Sequence, residues 1–154
     1  MKVRDIMTAP AISVAPGESA EVAARTLAQY NIGMLPVCEE SGELCGMITD
    51  RDLVIRCMAA NKPAGKTTVR EIMTGSVYSI KPDTEAGVAA QLMGRQQIRR
   101  LPVVENGKLC GMLSLGDLAK QEESVMDAAD ALMDISSNIR RKSCKNKCEN
   151  RQKV

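Results

Sequence analysis

Histidine, tryptophan and phenylalanine are missing from all 154 residues, and Tyr30 and Tyr78 are the only aromatic side chains. Without an imidazole the chain cannot build Ser-His-Asp or Cys-His catalytic arrangements, or a zinc site that uses histidine. With two aromatic rings, the stacked platforms that hold single-stranded nucleic acid are not expected. The core must therefore be built from aliphatic side chains and Met, and the chain is not expected to be an enzyme.

Long apolar runs are also missing, so no segment of the sequence has the length and hydrophobicity of a transmembrane helix. The first ten residues, MKVRDIMTAP, carry charges and lack the apolar stretch of a signal peptide. We therefore expect a cytoplasmic protein with no membrane association. Hydrophobic residues make up 44% and charged residues 26%, a globular balance, and the length suits one domain or two small fused ones.

Charge is distributed unevenly along the chain. Residues 140–154 contain seven basic residues and one acidic residue, a net of +6, whereas the rest contain 14 basic and 18 acidic residues, a net of −4. A solvated, disordered tail is the simpler interpretation, and contact with nucleic acid or an acidic partner is the less favoured one. The tail thiols Cys144 and Cys148 lie among lysines, and two thiols do not complete a zinc site, so no metal is expected.

The sequence repeats itself once. VRDIMTAPAISV at residues 3–14 is matched by VREIMTGSVYSI at residues 69–80. NIGMLPVCEESGELCGMITDRDL at residues 31–53 is matched by QIRRLPVVENGKLCGMLSLGDL at residues 97–118. Two copies in the same order indicate a tandem duplication that forms a pseudo-symmetric pair.

Each copy predicts the order β-α-β-β-α, which makes the fold class α+β. A helix is indicated by apolar residues at helical spacing, such as Val22, Leu27 and Tyr30 in the first copy and Val88 and Leu92 in the second. The turns SGE and NGK predict hairpins between strands. The predicted parts are copy 1 at residues 1–60, a linker at 61–68, copy 2 at 69–120, an amphipathic helix at 121–139 that packs on the pair or on a second subunit, and the tail at 140–154.

A hydroxyl and a carboxylate recur where the last strand of each copy meets a helix: Thr49 with Asp52, and Ser114 with Asp117. Such pairs form capping boxes, which explains both without a ligand. They also suit a ribose phosphate, because the helix start and the hydroxyl attract phosphate while the carboxylate accepts from two ribose hydroxyls. Arg99 and Arg100 could offset the carboxylate charge, or they could be surface arginines.

The repeated pattern IMT…P…A…LPVV…G…L.GM[IL][ST]..DL resembles the CBS (cystathionine β-synthase) domain, and the two copies resemble a CBS pair, or Bateman module, over about three quarters of the chain. The chain resembles the small stand-alone proteins of this kind. The resemblance implies two three-stranded sheets with helices on one side, a pseudo-two-fold axis with two clefts, and a homodimer.

The resemblance also implies ligand-binding positions. Asp52 and Asp117 would contact ribose, Thr49 and Ser114 phosphate, and Arg99 and Arg100 phosphates; the first copy has Gly33 where the second has Arg99, so the sites are unequal or share one cationic cluster. The remaining positions cover the base or line the cleft, although some of them could be core residues: Thr8, Ile12, Ser13, Thr74, Tyr78, Ser79 and Ile98.

The function implied is a regulatory module that senses an adenosine nucleotide (AMP, ADP or ATP) and signals to an unidentified effector protein. S-adenosylmethionine and NAD are alternative ligands, and no cofactor is required. The alternative function is a partner-binding or nucleic-acid-binding module that acts through the basic tail.

Overall fold

The structure is a computed structural model that describes residues 1–137, and its mixed helices and strands confirm the α+β class. The strands are β1 (Met34–Cys38), β2 (Leu44–Thr49), β3 (Arg100–Glu105) and β4 (Lys108–Ser114). The helices are α1 (Ala20–Tyr30), α2 (Asp50–Asp52), α3 (Val69–Ile72), α4 (Ala86–Gln96), α5 (Leu115–Ala119) and α6 (Val125–Ser137), and α2 continues as a π-helical turn over Leu53–Met58. Short 3₁₀ turns occupy Val3–Asp5 and Glu122–Ser124.

The sheets have two strands each, not the three that the resemblance implied: β1 pairs with β2, and β3 pairs with β4. The third strand of the first copy is reduced to one residue, Val14, whose N–H donates to the Pro36 carbonyl and whose carbonyl accepts from Cys38, both at 3.0 Å. The next donors of this parallel ladder in the two directions would be Pro16 and Pro36. Proline has no N–H, so the ladder stops after one bridge.

Two compact units make up the chain, and neither coincides with a sequence copy. The α1 unit comprises Thr8–Ser79 and Pro102–Gly111. Within the described residues, the α4 unit comprises Met1–Met7, Ile80–Leu101 and residues 112–137. The duplication seen in the sequence therefore does not mark the boundaries of the folded units.

Each unit includes the opening segment of the other sequence copy. In the α4 unit, Val3 N–H donates to the Thr84 carbonyl at 2.8 Å. In the α1 unit, Met47 and Thr74 exchange two backbone hydrogen bonds of 2.9 Å. These pairs lie far apart in sequence, which is why the local repeat pattern did not predict them.

The cores are aliphatic, as the composition requires, and Leu35, Ile48 and Ile72 are fully buried in the α1 unit. The helices that the spacing predicted do form. Most of the residues that they bury, however, are small ones and not the large apolar residues on which the prediction relied. Small residues and Leu27 face inward on α1, whereas Val22 and Tyr30 are exposed. The helix thus lies against the core largely through alanines, and the bulky residues on its outer face were misleading guides to burial.

Residues 61–68, the predicted linker, pack on the start of α1. The N–H groups of Ala20 and Glu21 donate to the carbonyls of Thr67 and Ala64 at 2.8 and 3.1 Å. Thr67 is buried, and its hydroxyl donates to the Pro63 carbonyl. The segment therefore satisfies N–H groups that the first turn of a helix otherwise leaves without partners.

Replacing Glu71 by Gln should lower stability at neutral pH but not at low pH. Glu71 accepts from the Thr68 N–H at 2.6 Å and from the Thr68 hydroxyl at 3.1 Å, and these bonds lower the pKa of Glu71 below its ordinary value of 4.5. A carboxyl whose pKa is lower in the folded state stabilises the fold above the unfolded value, and this contribution disappears as the pH falls through the folded pKa. Thermal unfolding of the unaltered protein and of the Glu71→Gln variant between pH 7 and pH 3 measures this pH dependence.

The control is Glu40→Gln, because Glu40 makes no side-chain hydrogen bond or ion pair within residues 1–137. It makes the same change of charge on an exposed side chain. An equal shift in melting temperature for the two variants at pH 7 would contradict the role given to the Thr68 bonds.

Candidate functional site

The first hydroxyl–carboxylate pair forms a capping box in the α1 unit. The Asp52 N–H donates to Thr49 Oγ1, and the Thr49 N–H donates to Asp52 Oδ2, both at 3.0 Å. The Asp52 side chain is 13% exposed, and its Oδ1 lies 3.7 Å from the Arg56 Nε. The capping interpretation is thus confirmed for this pair, and both carboxylate oxygens already face a donor.

The second pair forms the same box in the α4 unit, with one difference. Asp117 Oδ2 accepts from the Ser114 N–H at 2.8 Å and from the Ser114 hydroxyl at 2.6 Å, while the Asp117 N–H donates to Ser114 Oγ at 3.1 Å. Within residues 1–137, no donor contacts Asp117 Oδ1. Capping therefore uses one oxygen of this carboxylate and leaves the other able to accept from a ligand.

Arg99 and Arg100 lie beside Ser114 in a pocket of about 570 Å³ in the α4 unit. The Arg99 carbonyl accepts from the Leu115 N–H at 2.9 Å, which fixes the arginine backbone against the start of α5. Neither guanidinium forms a salt bridge with a carboxylate of the described part of the chain. The remaining lining residues are Leu115, Gly116, Ala119, Val125, Ala128, Ala129 and Leu132.

The charges in this pocket suit an anion. Two guanidinium groups supply up to ten N–H donors, whereas the Ser114 hydroxyl already donates to Asp117 Oδ2. Helix α5 has only five residues, so its dipole contributes little, and the arginines must carry most of the attraction.

The matching place in the first copy holds a carboxylate beside a glycine. Gly33 corresponds to Arg99, and its carbonyl accepts from the Asp50 N–H at 3.1 Å, where Asp50 corresponds to Leu115. A Cβ added to Gly33 would lie 3.2 Å from Asp50 Oδ2. Asp50 Oδ2 thus lies next to the space where the second copy has the Cβ of Arg99, and Arg51 stands where the second copy has Gly116.

The other predicted positions are divided between the units. Thr8, Ile12, Ser13, Thr74, Tyr78 and Ser79 belong to the α1 unit together with Gly33, Thr49 and Asp52, whereas Ile98 belongs to the α4 unit with the two arginines, Ser114 and Asp117. Ile12 packs against the aliphatic core, while the Tyr78 ring is half exposed. Ser13 is exposed. The ligand roles of these residues stay predictions.

Arg56, in the α1 unit, is a polar residue that contacts predicted site residues and that the sequence analysis did not identify. Its Nη1 donates to the carbonyls of Ile72 and Met73 at 3.1 Å and approaches Thr74 Oγ1 at 3.4 Å. Because its Nε also lies near Asp52, Arg56 links two predicted site residues, Asp52 and Thr74. The i,i+4 spacing of Asp52 and Arg56 was the one local signal for it.

The thiols near β1 and β2 are poor nucleophiles. Burial, followed by the proximity of Cys45, raises the pKa of the Cys38 thiol, and burial likewise raises the pKa of Cys45. Both thiols therefore stay protonated at neutral pH. Cys144, Cys148 and the basic tail lie outside the described residues.

Residues 1–137 contain neither a cluster of potential metal ligands nor a helix that could span a membrane. This part of the chain brings no three His, Cys, Asp or Glu side chains together in a way that could hold a metal ion. None of the helices described is both long enough and apolar enough to span a membrane.

Comparison with known proteins gives consistent matches. The family model for the CBS domain matches twice, at residues 3–58 and 69–124. CBS domain-containing protein YhcV of Bacillus subtilis is 41% identical over 134 residues, covering 87% of this chain and 94% of YhcV. The crystal structure of Hypoxic Response Protein I, with two coordinated zinc ions, is 31% identical with a TM-score of 0.73 and covers 79% of this chain and 98% of that one. The CBS domain pair of protein MJ0100, solved with 5′-methylthioadenosine and S-adenosyl-L-methionine, is 31% identical with a TM-score of 0.69, covering 78% and 94%.

Proposed function

The chain belongs to the CBS domain family, whose pairs are regulatory ligand-binding modules, and from that premise we propose that it senses adenosine nucleotides and passes the signal to a partner protein. The observation that supports this proposal is the pocket lined by Arg99, Arg100 and Ser114. Neither arginine of this pocket forms a salt bridge with a carboxylate of the described residues. A nucleotide phosphate supplies the anion that the two guanidinium groups lack. No side chain in the pocket is placed to carry out catalysis, so we propose binding and not turnover.

Asp117 is the ribose contact in this proposal. One of its oxygens completes the capping box, and the other has no donor within the described residues. The 2′ and 3′ hydroxyls of a ribose are paired donors that a carboxylate oxygen accepts well. Capping and ribose binding therefore use different oxygens of one side chain.

The first-copy site takes a different ligand charge in this proposal. Gly33 leaves room for the Asp50 carboxylate next to the position that Arg99 occupies in the second copy. A carboxylate repels phosphate but not an adenosine compound that is neutral or cationic. The MJ0100 pair, whose structure holds 5′-methylthioadenosine and S-adenosyl-L-methionine, shows that a related pair takes adenosine compounds without a phosphate.

Asp117→Asn and Asp117→Ala separate ribose binding from capping. The Asn side-chain carbonyl can still accept from the Ser114 N–H, so melting temperature should change little, whereas one lost acceptor for the ribose hydroxyls should weaken AMP binding by about tenfold. Asp117→Ala should lose both the cap, at a cost of about 1 kcal/mol, and the ligand. Isothermal titration with AMP, ADP, ATP, NAD and S-adenosylmethionine, together with thermal unfolding, measures both effects.

Ser41→Ala is the control, because Ser41 is an exposed turn residue of the α1 unit whose hydroxyl accepts only from the nearby Glu43 N–H. It should leave nucleotide affinity unchanged. Asp117→Asn binding AMP as tightly as the unaltered protein would remove the ribose role, and no binding of any adenosine compound by the unaltered protein would remove the proposed function.

A further inference from the structure

The pocket beside Arg99 and Arg100 has two chemically different parts. The guanidinium groups make one part cationic, whereas the part formed by α6 is lined only by apolar side chains: Val125, Ala128, Ala129 and Leu132. The volume of about 570 Å³ lies within the range of roughly 300–1,000 Å³ that is typical of sites for whole small molecules. A phosphate alone would leave most of this space empty. A ligand that uses the whole pocket therefore joins an anionic group to an apolar one.

The face of α6 that lines the pocket has a gap in its middle. Val125, Ala129 and Leu132 recur at positions i, i+4 and i+7, which places them on one side of the helix. Val125 and Leu132 are each 44% exposed, whereas the side chain of Ala129 between them ends at its Cβ. Two larger apolar side chains thus flank a small one, and a flat ring placed on Ala129 would contact both of them.

The acidic residues of α6 lie on the other side of the helix. A Cβ on Gly87 would lie 3.0 Å from Asp127 Oδ2, and a Cβ on Gly94 would lie 3.0 Å from Asp134 Oδ2, so both carboxylates face α4. Asp130 falls between them in the helical repeat. Within the described residues, no carboxylate lines the pocket. Helix α6 therefore borders the two guanidinium groups without neutralising them.

Helix α6 has no counterpart in the first copy. It packs on α4 and α5 and covers the groove between them, where Ala90 of α4 is 1% exposed. The equivalent groove of the α1 unit, between α1 and the π-helical turn, is open, and Ala24, which corresponds to Ala90, is exposed in its lining. An apolar wall of this kind therefore belongs to the second-copy pocket and not to the first-copy site.

The positions that the family resemblance assigns to the base of a nucleotide do not form this wall. Ile98 is the one such position in the α4 unit, and it is not among the residues that line the pocket. The apolar surface that the α4 unit offers beside Arg99 and Arg100 comes from α5 and α6 instead.

We propose that α6 forms the base-binding wall of this pocket, with the flat face of the base on Ala129 between Val125 and Leu132 while the phosphate lies against the two arginines. This assignment rests on the proposed function and names the part of the chain that contacts the base. Aliphatic contact with a ring face needs no aromatic side chain, and it removes the exposed surfaces of Val125 and Leu132 from water.

Photolabelling with 8-azido-AMP identifies the wall directly, because irradiation attaches the base of this probe to residues next to it. Trypsin cleaves after Lys120 and Arg140, so the whole of α6 lies in one peptide, residues 121–140. Mass spectrometry should find most of the label in that peptide. A saturating excess of AMP should reduce the labelling by at least about tenfold, because the two nucleotides compete for one site.

Two substitutions change the wall without touching the arginines. Ala129→Leu fills the gap and Leu132→Ala removes one side of it; both positions are exposed on a helix and both new residues are strong helix formers, so folding is retained and circular dichroism checks it. In calorimetric titrations, Ala129→Leu should raise the dissociation constants of AMP and adenosine by the same factor, at least about tenfold, because both ligands carry the base. Leu132→Ala should raise both about threefold.

Ala28→Leu is the matched control, because Ala28 is exposed on α1 and lines neither this pocket nor the open groove of the α1 unit. It should leave both affinities unchanged. Label mainly outside residues 121–140, or unchanged AMP affinity in Ala129→Leu, would overturn the α6 assignment and leave the proposed function standing. An unaltered protein that binds no adenosine compound would overturn both.

Discussion

Replacing Arg99 and Arg100 together by alanine is expected to weaken AMP and ATP binding by about 100-fold, while adenosine binding changes by less than about threefold. Arg99, Arg100 and Ser114 line one pocket, and neither guanidinium group forms a salt bridge with the described carboxylates. Their hydrogen bonds to phosphate are charge-assisted, so losing both removes far more affinity for nucleotides than for the nucleoside. Calorimetric titrations with AMP, ATP and adenosine measure the two losses.

The matched control removes the same charge elsewhere in the α4 unit. Lys81 and Arg95 are exposed and form no salt bridge within the described chain, so Lys81→Ala with Arg95→Ala has the same effect on net charge. This control should reduce ATP affinity by no more than about twofold, through long-range electrostatics alone. Equal losses of AMP and adenosine affinity in the Arg99 and Arg100 variant would rule out a phosphate role.

Gly46→Ala is expected to lower the free energy of unfolding by about 2 kcal/mol. A Cβ at Gly46 would lie 2.6 Å from Met73 Sδ and 2.9 Å from the Thr74 carbonyl oxygen. The methionine side chain can rotate away. The Thr74 carbonyl cannot, because it accepts from the Met47 N–H and anchors the opening of the second copy on β2. Urea denaturation measures the change.

Gly75→Ala serves as the control for Gly46→Ala. Gly75 lies in the same segment as Thr74, but a Cβ there would meet no atom within 4 Å. It should change stability by less than about 0.5 kcal/mol. A Gly46→Ala protein as stable as the Gly75→Ala protein would show that the Thr74 segment shifts without cost, and the exchange of opening segments would then be a loose contact.

The capping boxes affect how site variants must be interpreted. Asp52 and Asp117 each hold a helix start, so an alanine variant loses stability whether or not a ligand binds. Of these two carboxylates, only that of Asp117 has an oxygen without a donor in the described chain, because Asp52 Oδ1 faces Arg56. The second-copy site is therefore the better place to separate the two roles.

Local features were predictable from the sequence. The capping boxes follow from residues three positions apart, and the helices from apolar spacing, because both depend on interactions within one turn or two. The contacts of Arg56 were not predictable in this way, since its carbonyl partners lie 16 and 17 residues further along the chain. The first strand predicted for copy 1 proved to be a single bridge at Val14, although both prolines that end it are visible in the sequence.

By itself the sequence determined the duplication, the aliphatic core, the α+β class, the family resemblance and the two hydroxyl–carboxylate pairs. Only the tertiary structure decided that each unit includes the opening of the other copy, that Arg99 and Arg100 share a pocket with Ser114, and that one helix groove is covered and the other open. The features that the sequence determined depend on residue type and on spacing over short stretches of chain. The features that the tertiary structure decided depend on backbone hydrogen bonds and side-chain packing between segments far apart in the chain, which no local pattern encodes.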